Sequence, residues 1–248
     1  MNDVALGFFI AAIGLCLGSY AGMLSYRLPR GEQTVAGHSR CPQCRSILTP
    51  SDMIPVISWL FYRGRCRHCG QSISWRYPVI EITVMMTSLA AWIVSGPTLD
   101  GVIIGILGLV LVISTVCDFE WQIIPNEMTA IVAGLGVIWV VGDGRPIYPA
   151  ISGATLLFGL SWGVRWWYRW RTGVEGLGMG DIKLYAAGGL WVGIYGAPFL
   201  LITSSCVGLV LGVVWRLSGG QRQFPLGPAI AVTLYVQICC MTRGLTLF

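Results

Sequence analysis

Two aspartates and four of the cysteines are the residues whose type and placement suit chemistry. Asp181 stands in Gly178-Met179-Gly180-Asp181-Ile182-Lys183-Leu184, a carboxylate at the mouth of an apolar segment, between glycines that let a backbone or a water approach. Asp118 stands at the end of another apolar segment, followed by Ile123-Ile124-Pro125-Asn126. Two carboxylates in a water-poor cleft share a proton, and the ionised one can take a proton from a water that attacks a carbonyl. That is aspartyl hydrolysis. The cysteines form Cys41-Pro42-Gln43-Cys44 and Cys66-Arg67-His68-Cys69, two knuckles at the spacing of one tetrahedral structural zinc site. Disulfides or free thiols are the other use of such cysteines, and a cytoplasmic placement argues against disulfides. With no open coordination position expected, the metal is structural rather than catalytic. It would contribute on the order of 10 kcal/mol to ordering a loop with no core of its own. Cys16, Cys117, Cys206, Cys239 and Cys240 lie in apolar segments and read as packed thiols.

The elements that position these groups follow from composition. The chain has 248 residues, 55% hydrophobic and 11% charged, with mean hydropathy +0.71. Soluble domains carry about a quarter charged residues, so this is an all-α polytopic membrane protein. Its net charge is +5, but there is little soluble domain to carry a nucleic-acid patch, and no nucleic-acid partner is expected. Apolar segments at 4–26, 78–96, 101–117, 128–142, 147–166, 182–197, 198–215 and 226–247 predict about eight transmembrane helices. Met1-Asn2-Asp3 lacks the positive start of a cleavable signal, so residues 1–26 read as a first helix that stays. Residues 27–77 are then the zinc loop between helices 1 and 2, and 78–248 a seven-helix membrane core. With the N-terminus outside, every basic residue but Arg145 and Arg243 falls in or beside a cytoplasmic loop (27–77, 118–127, 167–181, 216–225). Asp118 and Asp181 then share the cytoplasmic face. Segment 182–197 is short and carries Gly188, Gly189, Gly193 and Gly196, which favour close helix packing and would draw Asp181 into the bilayer.

Each acid also has a plainer use. An ionised Asp at mid-bilayer costs about 2.5–3.5 kcal/mol on insertion scales and calls for a reason, yet an Asp at a helix end is commonly a cap. A functional dyad and a pair of caps both remain open on these grounds. Glu120, Glu127 and Glu175 read as solvated loop charges. Glu81, a turn inside helix 78–96, either pairs with Arg76 or the cytoplasmic loop, or faces a substrate or cofactor. Lys183, the only lysine, reads as headgroup-facing or as a charge acting on one Asp. The run Ile54-Pro55-Val56-Ile57-Ser58-Trp59-Leu60-Phe61-Tyr62 is too short to span and reads as interfacial or core-packing, and Trp162 through Arg171 as a helix end anchored at the headgroups.

Taken in order, the motifs resemble the type IV prepilin peptidase family. They are Gly18-Ser19-Tyr20 leading to Tyr26-Arg27-Leu28-Pro29, the two knuckles around Ile54-Pro55-Val56-Ile57-Ser58, and Ile73-Ser74-Trp75-Arg76-Tyr77-Pro78 with Glu81. Asp118 through Ile124-Pro125-Asn126, Gly178 through Leu184, and Pro225-Leu226-Gly227-Pro228 complete the series. The first motif departs from the family, with Gly22 where members often have Asn. The Gly-x-Gly-Asp signature is shared with presenilin-like proteases, and the knuckles with Arg76-Tyr77-Pro78 point to the prepilin branch. The resemblance implies that Asp118 and Asp181 are a catalytic pair in the bacterial inner membrane, facing the cytoplasm. It implies prepilin or pseudopilin substrates with a short basic leader. It further implies N-methylation of the new amine from S-adenosylmethionine, with Glu81 and the zinc loop as candidate contributors and Glu81, Gly178, Gly180 and Lys183 as candidate substrate or cofactor contacts. The competing readings are a non-enzymatic scaffold and a proton-coupled transporter.

Overall fold

A computed structural model describes residues 3–32, 40–41, 43–142, 144–219 and 224–245. Met1 and Asn2, Pro42 of the first knuckle, and parts of loops 27–77 and 216–225 and of segment 226–247 lie outside the described residues. Helices α1 (Asp3–Arg27), α2 (Ile57–Phe61), α3 (Arg76–Ser95), α4 (Leu99–Trp121), α5 (Asn126–Gly142), α6 (Ile147–Thr172), α7 (Met179–Leu217) and α8 (Gly227–Thr242) make up the fold, with two short 3-10 turns. Among the described residues the extended pairing is limited to two isolated bridges, Arg40 with Ile47 and Arg65 with Ser72, one in each knuckle. Five helices (α1, α3, α4, α6 and α7) are long and apolar enough to cross a membrane, while α5 and α8 are apolar but shorter.

Helix α7 is really two arms. Gly193 has φ 64 and ψ −175, a conformation open to glycine, and the chain doubles back there. The Tyr185 hydroxyl lies 2.8 Å from that of Ser204, and a β-carbon on Gly188 would touch Leu200 at 3.1 Å. In a straight helix residues 185 and 204 would be about 28 Å apart at 1.5 Å per residue. The two apolar segments expected here are thus present, but the corner lies at Gly193 rather than between 197 and 198. Pro198 lies inside the second arm, five residues past the corner, and marks no break in it.

Glycines set the closest helix contacts. A β-carbon on Gly14 would come 2.8 Å from Met85 Cα, one on Gly18 2.5 Å from Glu81 Cα, and one on Gly22 3.2 Å from the Tyr77 ring. This stripe, four residues apart along one face of α1, lets the backbones of α1 and α3 meet. Gly153 on α6 and Gly189 on α7 approach the opposite backbone in the same way. The core between them is apolar, with Ile104, Leu107, Leu157, Leu184, Leu200, Ile230 and Leu234 fully enclosed.

The helix ends divide into two sets. At one end the C-terminus of α1 meets the starts of α3 and the last turn of α4, through Arg76 to Ser25 (2.7 Å) and Arg76 to Glu120 (2.7 Å). Lys183 at the start of α7 donates to Asn126 at the start of α5 (2.7 Å), and Phe119 lies 6.2 Å from Trp215 at the end of α7. At the other end Arg243 donates to Ile93 O and Arg145 stacks over Trp139. The two arginines that stood outside the expected cytoplasmic loops therefore belong to the far end.

Candidate active site

Helix α4 does not stop before Asp118. It runs on to Trp121 and ends where Gln122 turns left-handed (φ 54, ψ 36) and returns its N–H to Asp118 O at 2.9 Å. Asp118 is consequently held in the last turn of α4 and is 6% exposed. A carboxylate at a helix C-terminus faces the negative end of its own helix dipole. It is compensated from elsewhere: Gly227 N–H, at the first position of α8, donates to Asp118 Oδ2 at 2.8 Å. The contact is close enough that a β-carbon on Gly227 would stand 2.7 Å from that oxygen.

Asp181 is the third residue of α7, inside the helix rather than ahead of it. Its carboxylate reaches back to the Gly178 backbone, and a β-carbon on Gly178 would stand 2.8 Å from Oδ2. The other oxygen, Oδ1, is buried with no hydrogen-bond partner among the described residues. Ile124, the residue before Pro125, packs against the helix starts that carry or face the two acids. A β-carbon on Gly180 would meet Ile124 Cβ at 3.0 Å, and one on Gly227 would meet Ile124 Cδ1 at 3.1 Å. The start of α7 and the start of α8 thus both pack against one isoleucine, and Asp118 and Asp181 lie near enough to interact electrostatically. Two helix N-termini, positive ends of their dipoles, aim at the place where the carboxylates gather. Such a site can hold a water between two acids that exchange protons.

Of the other sequence-expected residues, Gly178 and Gly180 lie in this site, and Lys183 sits one turn further on, exposed and committed to Asn126. Glu120 is paired with Arg76 and does not stand free, and Glu175 pairs with Arg165 (2.5 Å) and Arg169 (3.4 Å), which closes the loop before Gly178. Glu81 is elsewhere. It is 6% exposed, accepts from Val56 N–H at 2.7 Å and is hydrogen-bonded by Ser19, so its partner is the loop backbone and not Arg76. Gly227 was invisible as a partner for Asp118. The only sequence signal was a glycine before Pro228 at a helix start.

The four knuckle cysteines come together with all Sγ atoms within 4.8 Å of one another, and Cys41 Sγ lies 3.9 Å from Cys69 Sγ. Four sulfurs about 2.3 Å from a central zinc would be about 3.8 Å apart. Each knuckle closes alike: Arg45 N–H returns to Cys41 O and Gly70 N–H to Cys66 O, both 2.9 Å. Arg45 (φ 57) and Gly70 (φ 70) supply the left-handed step after the second cysteine of each pair. Hydrogen bonds from Ser46 push the Cys44 thiol down to about 6, which favours the thiolate a metal requires. The cluster can hold a metal ion such as zinc.

An all-helical protein with spans long enough for a membrane, two acids gathered at helix N-termini and a four-cysteine module defines the class. Residues 12–95 match the bacterial peptidase A24 N-terminal domain and residues 105–213 the type IV leader peptidase family. A prepilin leader peptidase/N-methyltransferase of Neisseria gonorrhoeae is 35% identical, covering 91% of this chain and 87% of its own length. One from Pectobacterium carotovorum is 33% identical over 90% of this chain and 89% of its own. The type 4 prepilin-like proteins leader peptide-processing enzyme of Escherichia coli is 30% identical over 90% and 91%. No solved structure matches. The chain belongs to the type IV leader peptidase family.

Proposed function

We propose that this protein cuts the short basic leader from type IV prepilins or type II secretion pseudopilins and methylates the new N-terminus. The observation that carries the reading is the meeting of Asp118 and Asp181 around Ile124, at the starts of α8 and α7. A water between the carboxylates attacks the carbonyl that ends the leader. The ionised acid takes the water's proton. The protonated acid supports the developing oxyanion and then gives its proton to the leaving amine, so that the C–N bond breaks to a carboxylate and a free amine. The two acids titrate as a pair, and the roles belong to the pair. Gly178 and Gly180 keep the site open because a side chain on either would collide with Asp181 or Ile124, and Lys183 pins α7 to α5.

The same reading places the protein in the bacterial inner membrane with about eight crossings, counting the arms of α7 separately. The site then faces the cytoplasm, where the positive-inside rule keeps a basic leader. Residues 1–26 and 78–248 are the membrane part, and residues 27–77 the cytoplasmic module. Cys41, Cys44, Cys66 and Cys69 would hold a structural zinc, all four positions filled by protein. Methyl transfer rests on the relatives' names. Glu81 does not fit as a ligand for S-adenosylmethionine, since its carboxylate is buried and occupied by Val56 and Ser19. A scaffold whose acids are only helix caps is favoured by one fact, that each carboxylate bonds a helix-start backbone.

Asparagine caps helices as well as aspartate does but cannot carry the proton. Asp118→Asn and Asp181→Asn therefore separate the readings. Detergent-solubilised wild type should cut a purified prepilin at the leader's end, without a proton gradient, and both folded variants should be inactive. Cleavage by either variant at the wild-type rate would refute the dyad, and a dependence on the gradient would favour transport.

A further inference from the structure

We propose that α2 lies in the membrane surface, with Ile57, Leu60 and Phe61 seated among acyl chains and Arg63 and Arg65 at anionic headgroups. The inference is independent of the peptidase reading. Ile57, Leu60 and Phe61 are 62%, 61% and 77% exposed, at the i, i+3, i+4 spacing of one helix face. The remaining aromatic of the helix, Trp59, turns the other way. Its indole N–H donates to Ile73 O at 3.1 Å and its ring packs where Gly64 leaves room. Among the described residues of the module, Trp59 packs inward while the apolar face is left exposed.

What fixes its depth is Glu81. Pro55, Val56 and Ile57 form a tight turn in which Ile57 N–H returns to Pro55 O, with Val56 at φ 60 and ψ −49, a strained position for a β-branched residue. The surrounding structure holds it there through Val56 N–H to Glu81 Oε2 at 2.7 Å. Helix α3 has 20 residues from Arg76 to Ser95, about 30 Å at 1.5 Å per residue, which is the hydrocarbon thickness with none to spare. Its first turn is then at the hydrocarbon edge, where the 70% exposed Trp75 also stands. Glu81 lies five residues inside, and its side chain leans back toward the helix start. Val56 is consequently level with the first turn of α3, and the face of α2 that begins one residue later opens at acyl depth. Arg63 and Arg65, both exposed, follow directly. Apolar residues on one side with arginines beside them suit a lipid boundary with negative headgroups.

The test places p-benzoylphenylalanine singly at positions 57, 58, 60 and 61 of the full chain in nanodiscs containing phosphatidylglycerol. After irradiation, phospholipid-mass adducts should form at 57, 60 and 61, several-fold above position 58, whose hydroxyl is bonded back to Ile54 O. Equal yields at 58, no lipid adduct, or adducts only to a second chain or to an added prepilin would overturn the proposal. Hydroxyl-radical footprinting of the unsubstituted protein in the same nanodiscs needs no variant. Phe61 should be protected as fully as Phe8 and Phe9, the exposed phenylalanines of α1. Oxidation of Phe61 at the rate of a water-exposed residue would overturn it.

Discussion

Gly227→Ala tests the site with one methyl group. A β-carbon there would stand 2.7 Å from Asp118 Oδ2, 3.1 Å from its Cγ and 3.1 Å from Ile124 Cδ1, where ordinary contact begins at 3.4 Å. The carboxylate must retreat by 0.7 Å (3.4 less 2.7), and its hydrogen bond from Gly227 N–H is bent as it goes. A displacement of about 1 Å in a reacting group costs on the order of 10²-fold in rate, or about 2.7 kcal/mol of barrier. The colliding atoms are a side-chain tip and not backbone, so the fold yields locally. Stability should stay within about 1 kcal/mol, helped by the lower entropy cost of alanine in a helix. Steady-state cleavage of a purified prepilin, with thermal unfolding in the same detergent, should show a fall in kcat with KM nearly unchanged. Gly178→Ala, with its β-carbon 2.8 Å from Asp181 Oδ2, should behave alike. Wild-type kcat in a folded Gly227→Ala protein would refute the reasoning, because Asp118 would then be free to move without consequence.

Other consequences are structural. Gly18→Ala drives a β-carbon to 2.5 Å from the Glu81 backbone and should destabilise the protein by about 1–3 kcal/mol, whereas Gly134→Ala, with open space around it, should be neutral or slightly stabilising in the same unfolding assay. Gly193→Ala forces a side chain into the corner of α7 at φ 64 and should cost about 1–3 kcal/mol; an unchanged midpoint would mean the arms do not need that corner. Treatment with a strong chelator should remove about one zinc per chain and open residues 40–73 to protease while helices α1 and α3 to α8 stay intact; unchanged proteolysis would deny the metal a structural part.

Candidate residues were more legible in the sequence than their partners. Asp118, Asp181 and the cysteines were conspicuous because acids are rare in apolar chains and the knuckles have metal spacing, both local features. The corner of α7 was misplaced because Gly188, Gly189, Gly193 and Gly196 look alike in the sequence, although of these Gly193 alone adopts a positive φ. Gly227 and Val56 were silent as partners of Asp118 and Glu81, since both act through backbone N–H groups brought in from far along the chain. Val56 even runs against the preference of a β-branched residue, and only the folded surroundings hold it there. Of the two pairings open to Glu81, Arg76 or the cytoplasmic loop, the loop backbone is the one found, because α4 delivers Glu120 to Arg76.

The proposed chemistry requires Asp118 and Asp181 to act as one unit. A double-variant cycle of Asp118→Asn, Asp181→Asn and both together, read as kcat/KM for prepilin cleavage, measures this most directly. Residues acting as a unit are non-additive, so each single variant should lose about as much as the double, at least on the order of 10²-fold. Two independent caps would instead give singly active variants whose small losses add in the double, and that result would contradict the account.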